Sequence, residues 1–82
     1  MRNYTKNGKL DKIVCNQCGR ELKIENGIPI EGVFRVTKVW EYFSDKDGQI
    51  DCFDLCESCY DAWTSTFVVP LEIRENTELL GN

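Results

Sequence analysis

The stretch Asp54-Leu55-Cys56-Glu57-Ser58-Cys59-Tyr60-Asp61-Ala62-Trp63 decides the fold. Within it Leu55, Cys59, Ala62 and Trp63 fall at helical offsets, which strand alternation would not bring together. The spacing predicts a helix from about Glu57 to Thr66, ended by Val68-Val69-Pro70. Asp54 stands at or near its N-cap, and Glu57 lies in the first turn, where the helix dipole favours an anion. The same dipole lowers the pKa of a thiol, so Cys56 and Cys59 are suited to bind a metal near neutral pH.

A second Cys-x-x-Cys pair lies upstream in Cys15-Asn16-Gln17-Cys18-Gly19-Arg20. Two such pairs make a complete set for one Zn²⁺, each spanning an edge of the tetrahedron, with sulfurs at about 2.3 Å. Cys15, Cys18, Cys56 and Cys59 are therefore the expected ligands of one structural zinc. No position is left for water or substrate, so the expected role is to hold the fold and not to catalyse. Gly19 fits a knuckle turn, because aiming backbone N–H groups at a thiolate often needs a positive φ. The chain has 82 residues, enough for one domain but near the size where a core alone is marginal. Structural zinc contributes roughly 10–16 kcal/mol in small peptides, more than most domains have in net stability.

Between the pairs lie 37 residues, more than the common spacing of about 15–20 in simple fingers. Glu21-Leu22-Lys23-Ile24 alternates as the exit strand of the knuckle should, and Glu25-Asn26-Gly27 is a turn. Gly32 to Ser44 is rich in β-branched and aromatic residues and reads as a long, bent or bulged strand. Phe34, Val36, Trp40 and Tyr42 share one parity on it, interrupted by Lys38. Asp45-Lys46-Asp47-Gly48 is a hairpin turn and Gln49 to Asp54 the return strand. The order of knuckle, long hairpin and helix predicts a small α+β fold, a treble-clef-like zinc finger with polar ends. Residues 1–10 read as a flexible basic lead-in, 11–73 as the zinc-binding domain and 74–82 as a polar tail. Phe67 to Ile73 is expected as a last strand or extended arm, and Leu79-Leu80 as a pair able to dock.

Cys15-Asn16-Gln17-Cys18-Gly19 together with Phe53-Asp54-Leu55-Cys56-Glu57-Ser58-Cys59-Tyr60 resembles a group of small uncharacterised zinc-binding proteins of Gram-positive anaerobes, treble-clef or zinc-ribbon-like. The resemblance implies zinc and a treble-clef-like core. It implies no activity.

The remaining features bear on function. Formal charge is −4, which disfavours generic binding to nucleic acid or to anionic membrane. No apolar run approaches the roughly 18 residues of a membrane span. No apolar segment follows the N-terminal charges, so the expected compartment is the reducing cytoplasm, where paired cysteines read as metal ligands. There is no histidine, no serine with an evident activating base and no phosphate loop, so no catalytic residues are expected. The leading expectation is a non-enzymatic interaction or adaptor module with a protein partner, contacted through the hairpin or the C-terminal arm. A nucleic-acid-binding regulator is the alternative, using Arg2, Lys6, Lys9 and Lys12 with Trp40 or Tyr42 for base stacking. Trp40, Tyr42, Phe43 and Trp63 are expected to pack around the metal site, or else Trp40 or Tyr42 to anchor a partner. Asp45, Asp47, Asp51, Asp54, Glu57 and Asp61 are expected as solvated turn and helix surface. Cys52 is the fifth cysteine. It reads as a small apolar filler, with an extra ligand or a reactive, sensing thiol as the alternatives.

Overall fold

Short strands come first along the chain and the longest pairing comes late. The computed structural model describes residues 1–76. Strands β1 (Arg2–Tyr4), β2 (Leu10–Val14) and β3 (Glu21–Leu22) form an antiparallel sheet in that order. Residues 1–10, read from sequence as a lead-in, thus hold a strand paired with β2, Arg2 opposite Ile13. A three-residue strand has too little pattern to stand out; its register comes from the β2 edge beside it. Strands β4 (Ile24–Glu25) and β5 (Ile28–Pro29) make a small hairpin. Asn26 and Gly27 at its tip both have positive φ, 53° and 78°, as the two-residue turn of a tight hairpin requires.

Strands β6 (Val33–Val39) and β7 (Ile50–Cys56) form a two-stranded antiparallel sheet in register from Val33 opposite Cys56 to Val39 opposite Ile50. Helix α1 (Glu57–Thr64) follows β7 directly and is the one helix among the described residues. The molecule is a small α+β arrangement with antiparallel pairing throughout.

Three boundaries differ from the sequence reading. β6 stops at Val39, short of Ser44, because Trp40 to Gln49 turn in a series of local bonds such as Ser44 N–H to Glu41 O and Gln49 N–H to Lys46 O. Tyr42 therefore leaves the face it would have shared with Phe34. α1 ends at Thr64, where the hydroxyls of Thr64, Ser65 and Thr66 bond back to the carbonyls of Tyr60, Ala62 and Trp63. Such bonds compete with helix continuation. Residues 67–73 form no strand, and Leu79-Leu80 lies outside the described residues.

The buried core is small and lies where the first sheet, β7 and the start of α1 meet. It consists of Ile13, Leu22, Leu55, Cys15 and Cys56. Ile13 and Leu22 are cross-strand partners, and Ile13 is fully buried, worth about 1.5–3 kcal/mol of apolar burial. Beside this core an aromatic layer joins the sheet to the helix. Phe34 sits 4.7 Å from Tyr60 and 6.1 Å from Trp63, ring centre to ring centre, and Trp63 is 5.6 Å from Phe67. Trp40, Tyr42 and Phe43 take no part in that layer, contrary to the expectation of packing around the metal site. The β6–β7 hairpin carries them away from it.

Candidate metal centre

The knuckle between β2 and β3 supplies the first two sulfurs. Cys15 N–H donates to Arg20 O and Gly19 N–H donates to Cys15 O, each at 2.9 Å. Gly19 adopts φ 81°, the conformation its residue type makes accessible. β7 and α1 supply the other two. Cys56 is the last residue of β7 and the N-cap of α1, and Cys59 lies in the first turn. Beside the Cys56 sulfur lie the Ser58 hydroxyl, at 3.4 Å, and the Cys18 sulfur, at 3.9 Å. Asp54, expected at the cap, lies two residues earlier on β7.

The ligand atoms of Cys15, Cys18, Cys56 and Cys59 all lie within 4.8 Å of one another, and the sulfurs of Cys18 and Cys56 are 3.9 Å apart. Metal–sulfur bonds of about 2.3 Å give a tetrahedron with edges of about 3.8 Å. The four cysteines expected from sequence are brought together and can hold a metal ion. They divide into an inner pair, Cys15 and Cys56, both buried, and an outer pair, the exposed Cys18 and half-buried Cys59. The outer pair borders a shallow cleft with Gln17, Ala62 and Trp63.

The surrounding donors favour anionic sulfur. Burial pushes the Cys15 thiol up, but backbone N–H groups of Cys18, Cys56 and Gln17 outweigh it and its pKa falls below the ordinary value. Cys56 is lowered to about 6, chiefly by the Ser58 hydroxyl 3.4 Å away and then by the Cys59 backbone N–H. Cys59 is pushed up to about 12, first by Cys56 and then by desolvation. One sulfur of the helix pair is thus primed as thiolate, while the other keeps its proton until a cation displaces it. The Arg20 guanidinium is held charged far above its usual range, first by Glu31 and next by the neighbouring Cys56 sulfur. Arg20 grips Glu31 through two bonds of 2.7 and 3.2 Å. Glu31 also accepts the Lys23 N–H, and its carboxyl is lowered to about 2, mainly by Arg20.

Asp54, beside the cysteine cluster, is the residue that the sequence reading misplaced among solvated acids. It is fully buried. Its Oδ1 accepts from Arg2 at 3.0 Å, and its Oδ2 accepts from Arg35 at 2.9 Å and from the Met1 ammonium at 3.0 Å. Burial opposes its ionisation, yet the terminal ammonium and Arg2 prevail, and its pKa falls below the ordinary carboxyl value. The available signal was parity: Asp54 shares a face of its strand with Cys56, two residues on.

Cys52 shares that face as well but is exposed, opposite Thr37. The expectation that it packs as a filler fails, because the knuckle covers the face only as far as Asp54. It also lies outside the four-sulfur cluster. Trp40 is half-buried under two ammonium groups, Lys46 at 4.7 Å and Lys38 at 5.2 Å from its ring centre. Tyr42 and Phe43 are exposed at the hairpin tip.

No protein-family model, curated protein or solved structure matches this chain at a significant level. Among the described residues no helix is long and apolar enough to cross a membrane.

Proposed function

We propose that the chain is a zinc-stapled, treble-clef-like domain that serves as a protein-interaction module, with the tip of the β6–β7 hairpin as its contact surface. The observation that carries this reading is the Tyr42–Phe43 pair. Tyr42 is 78% and Phe43 96% exposed, and the two rings meet edge to face at 5.0 Å. Val39 and Ile50, partners across the base of the tip, are exposed as well. Paired aromatic groups left in water, at the end of a hairpin tied to a metal centre, have the character of interface anchors.

The treble-clef assignment is supported by the knuckle at one ligand pair and the helix start at the other. Zinc is supported by the all-thiol donor set and its tetrahedral spacing. A donor set that closes the coordination sphere, with no histidine in the chain, favours a non-enzymatic role. The nucleic-acid reading is weakened at two of its residues, since Arg2 is engaged by Asp54 and Trp40 lies under Lys38 and Lys46, while Lys6, Lys9 and the exposed Tyr42 stay open to it.

Native mass spectrometry is expected to find one zinc per chain, with unfolding on chelation. A pull-down from reducing extract is expected to retain a protein partner that Tyr42→Ala/Phe43→Ala loses at unchanged zinc content. Equal capture by the variant would remove the tip from consideration. Salt-sensitive binding to RNA or DNA in a shift assay would instead restore the nucleic-acid reading.

A further inference from the structure

The outer edge of β6 from Val33 to Thr37, with the cleft beside it, forms a second surface that shares no residue with the hairpin tip. Trp40 N–H donates to Gln49 O at 3.0 Å, and Trp40 O accepts from Gly48 at 3.4 Å, so the backbone of Trp40 faces β7. Alternation along an antiparallel ladder then turns the backbone of Lys38, Val36 and Phe34 toward β7, and that of Thr37, Arg35 and Val33 away from it. On β7 the same alternation turns Asp54 outward, and there Asn16 takes both of its backbone groups. Among the described residues nothing does this for Val33, Arg35 and Thr37. An unpaired strand edge is a template for an incoming strand.

At the head of that edge lies a cleft of about 300 Å³, lined by Gly32, Val33 and Phe34 on one side and by Glu57, Tyr60 and Asp61 of α1 on the other. Its apolar wall is the Phe34–Tyr60 ring pair. The Glu57 carboxylate lies so close over Gly32 that a Cβ there would meet Oε1 at 2.5 Å. Neither Glu57 nor Asp61 has a side-chain hydrogen bond or ion pair among the described residues. Like charges four residues apart on a helix repel each other, a repulsion that a cation placed between them removes. Aromatic faces attract ammonium and guanidinium groups, and the stems of long basic side chains pack on apolar surface.

We propose that an extended peptide segment of a partner protein pairs with the outer edge of β6 and lays one lysine or arginine side chain into this cleft, its charge between Glu57 and Asp61. The net charge of −4 suits such a partner. A second copy of this chain offers no free cation on the same edge, since its Arg35 is bound to Asp54 and its Lys38 to Glu41.

The probe is a seven-residue threonine–valine peptide with one central lysine, titrated into zinc-loaded, ¹⁵N-labelled protein. Shifts are expected at the amides of Val33, Arg35, Thr37 and Tyr60, and replacing the lysine by norleucine is expected to weaken binding at least tenfold. Glu57→Gln/Asp61→Asn is expected to erase that preference while keeping its zinc. Equal affinity for the two peptides, or no binding, overturns the proposal; this comparison on the wild-type protein decides even if the double variant misfolds. Concentration-dependent shifts at the same amides without peptide would assign the edge to a second copy and overturn it too.

Discussion

Asn16 and Asp54 hold each other across the gap between the knuckle and β7 by two hydrogen bonds. Asn16 N–H donates to Asp54 O at 2.8 Å, and Asp54 N–H donates to Asn16 Oδ1 at 3.0 Å. One residue follows Cys15 and the other precedes Cys56 by two. The two ligand pairs, far apart in sequence, are therefore aligned by backbone bonds as well as by any metal between them.

Asn16→Ala removes the acceptor for a buried N–H. The expected loss is about 1–3 kcal/mol, together with weaker zinc binding, since the two half-sites lose their alignment. Denaturant titration of the zinc-loaded variant and chelator competition measure both. Unchanged zinc affinity would limit Asn16 to a role in stability.

Asp54→Ala leaves the guanidinium groups of Arg2 and Arg35 without their shared carboxylate. Breaking a buried ionic set by removing one member costs about 3–5 kcal/mol, and the partial exposure of both arginines points to the lower end. Its folded pKa is depressed, so the contribution of Asp54 is fully present above the ordinary value of 3.8 and disappears as pH falls through the lowered one. The stability gap between wild type and Asp54→Asn is thus expected to stay constant from neutrality down toward that value. A gap that narrows near neutral pH would contradict the assignment.

The thiols give a second pH dependence, at higher pH. In metal-free protein Cys56 titrates at about 6 and Cys59 at about 12, so at neutral pH the first is mostly thiolate and the second a thiol. The depressed Cys56 stabilises the fold above its ordinary value of 9.0 and loses that contribution as pH falls through about 6. Raising Cys59 acts in the opposite sense on the metal-free fold. A metal ion must expel the proton of every ligand that is still a thiol, Cys59 among them, so apparent zinc affinity should rise at least about tenfold per pH unit across neutrality. Competition with a chromophoric chelator reads the slope; a flat profile would mean that Cys59 is already ionised.

Gly19→Ala tests the knuckle through its backbone. A Cβ at Gly19 meets nothing within 4 Å, yet φ is 81°, so the expected cost of about 1–2 kcal/mol is conformational alone. Thermal unfolding of the zinc-loaded variant measures it. No change in Tm would show that the turn relaxes without strain.

Cysteine spacing, Gly19 and the change of period at Leu55 make the four-cysteine cluster and the helix start legible in the sequence. Those signals are local: a turn needs its glycine, and a helix shows its period within two turns. Asp54 and Cys52 were misread for a shared reason. They lie on one face of one strand, and which part of that face is covered depends on how far the knuckle reaches over it. It reaches Asp54 and stops before Cys52. No local pattern encodes the extent of a cover contributed from about forty residues away in sequence. The end of β6 at Val39 was hidden in the same way, because Trp40, Tyr42 and Phe43 have strand-forming side chains while the backbone of Trp40 and Glu41 is bonded into the tip.

Cys15 and Cys56 belong at once to the hydrophobic core and to the sulfur cluster. Loss of the ion would therefore loosen the interior itself and shift the apo chain toward the unfolded state. Proteases acting on the opened chain would then make its abundance in a cell track metal supply, so that scarcity removes the protein rather than switching it off.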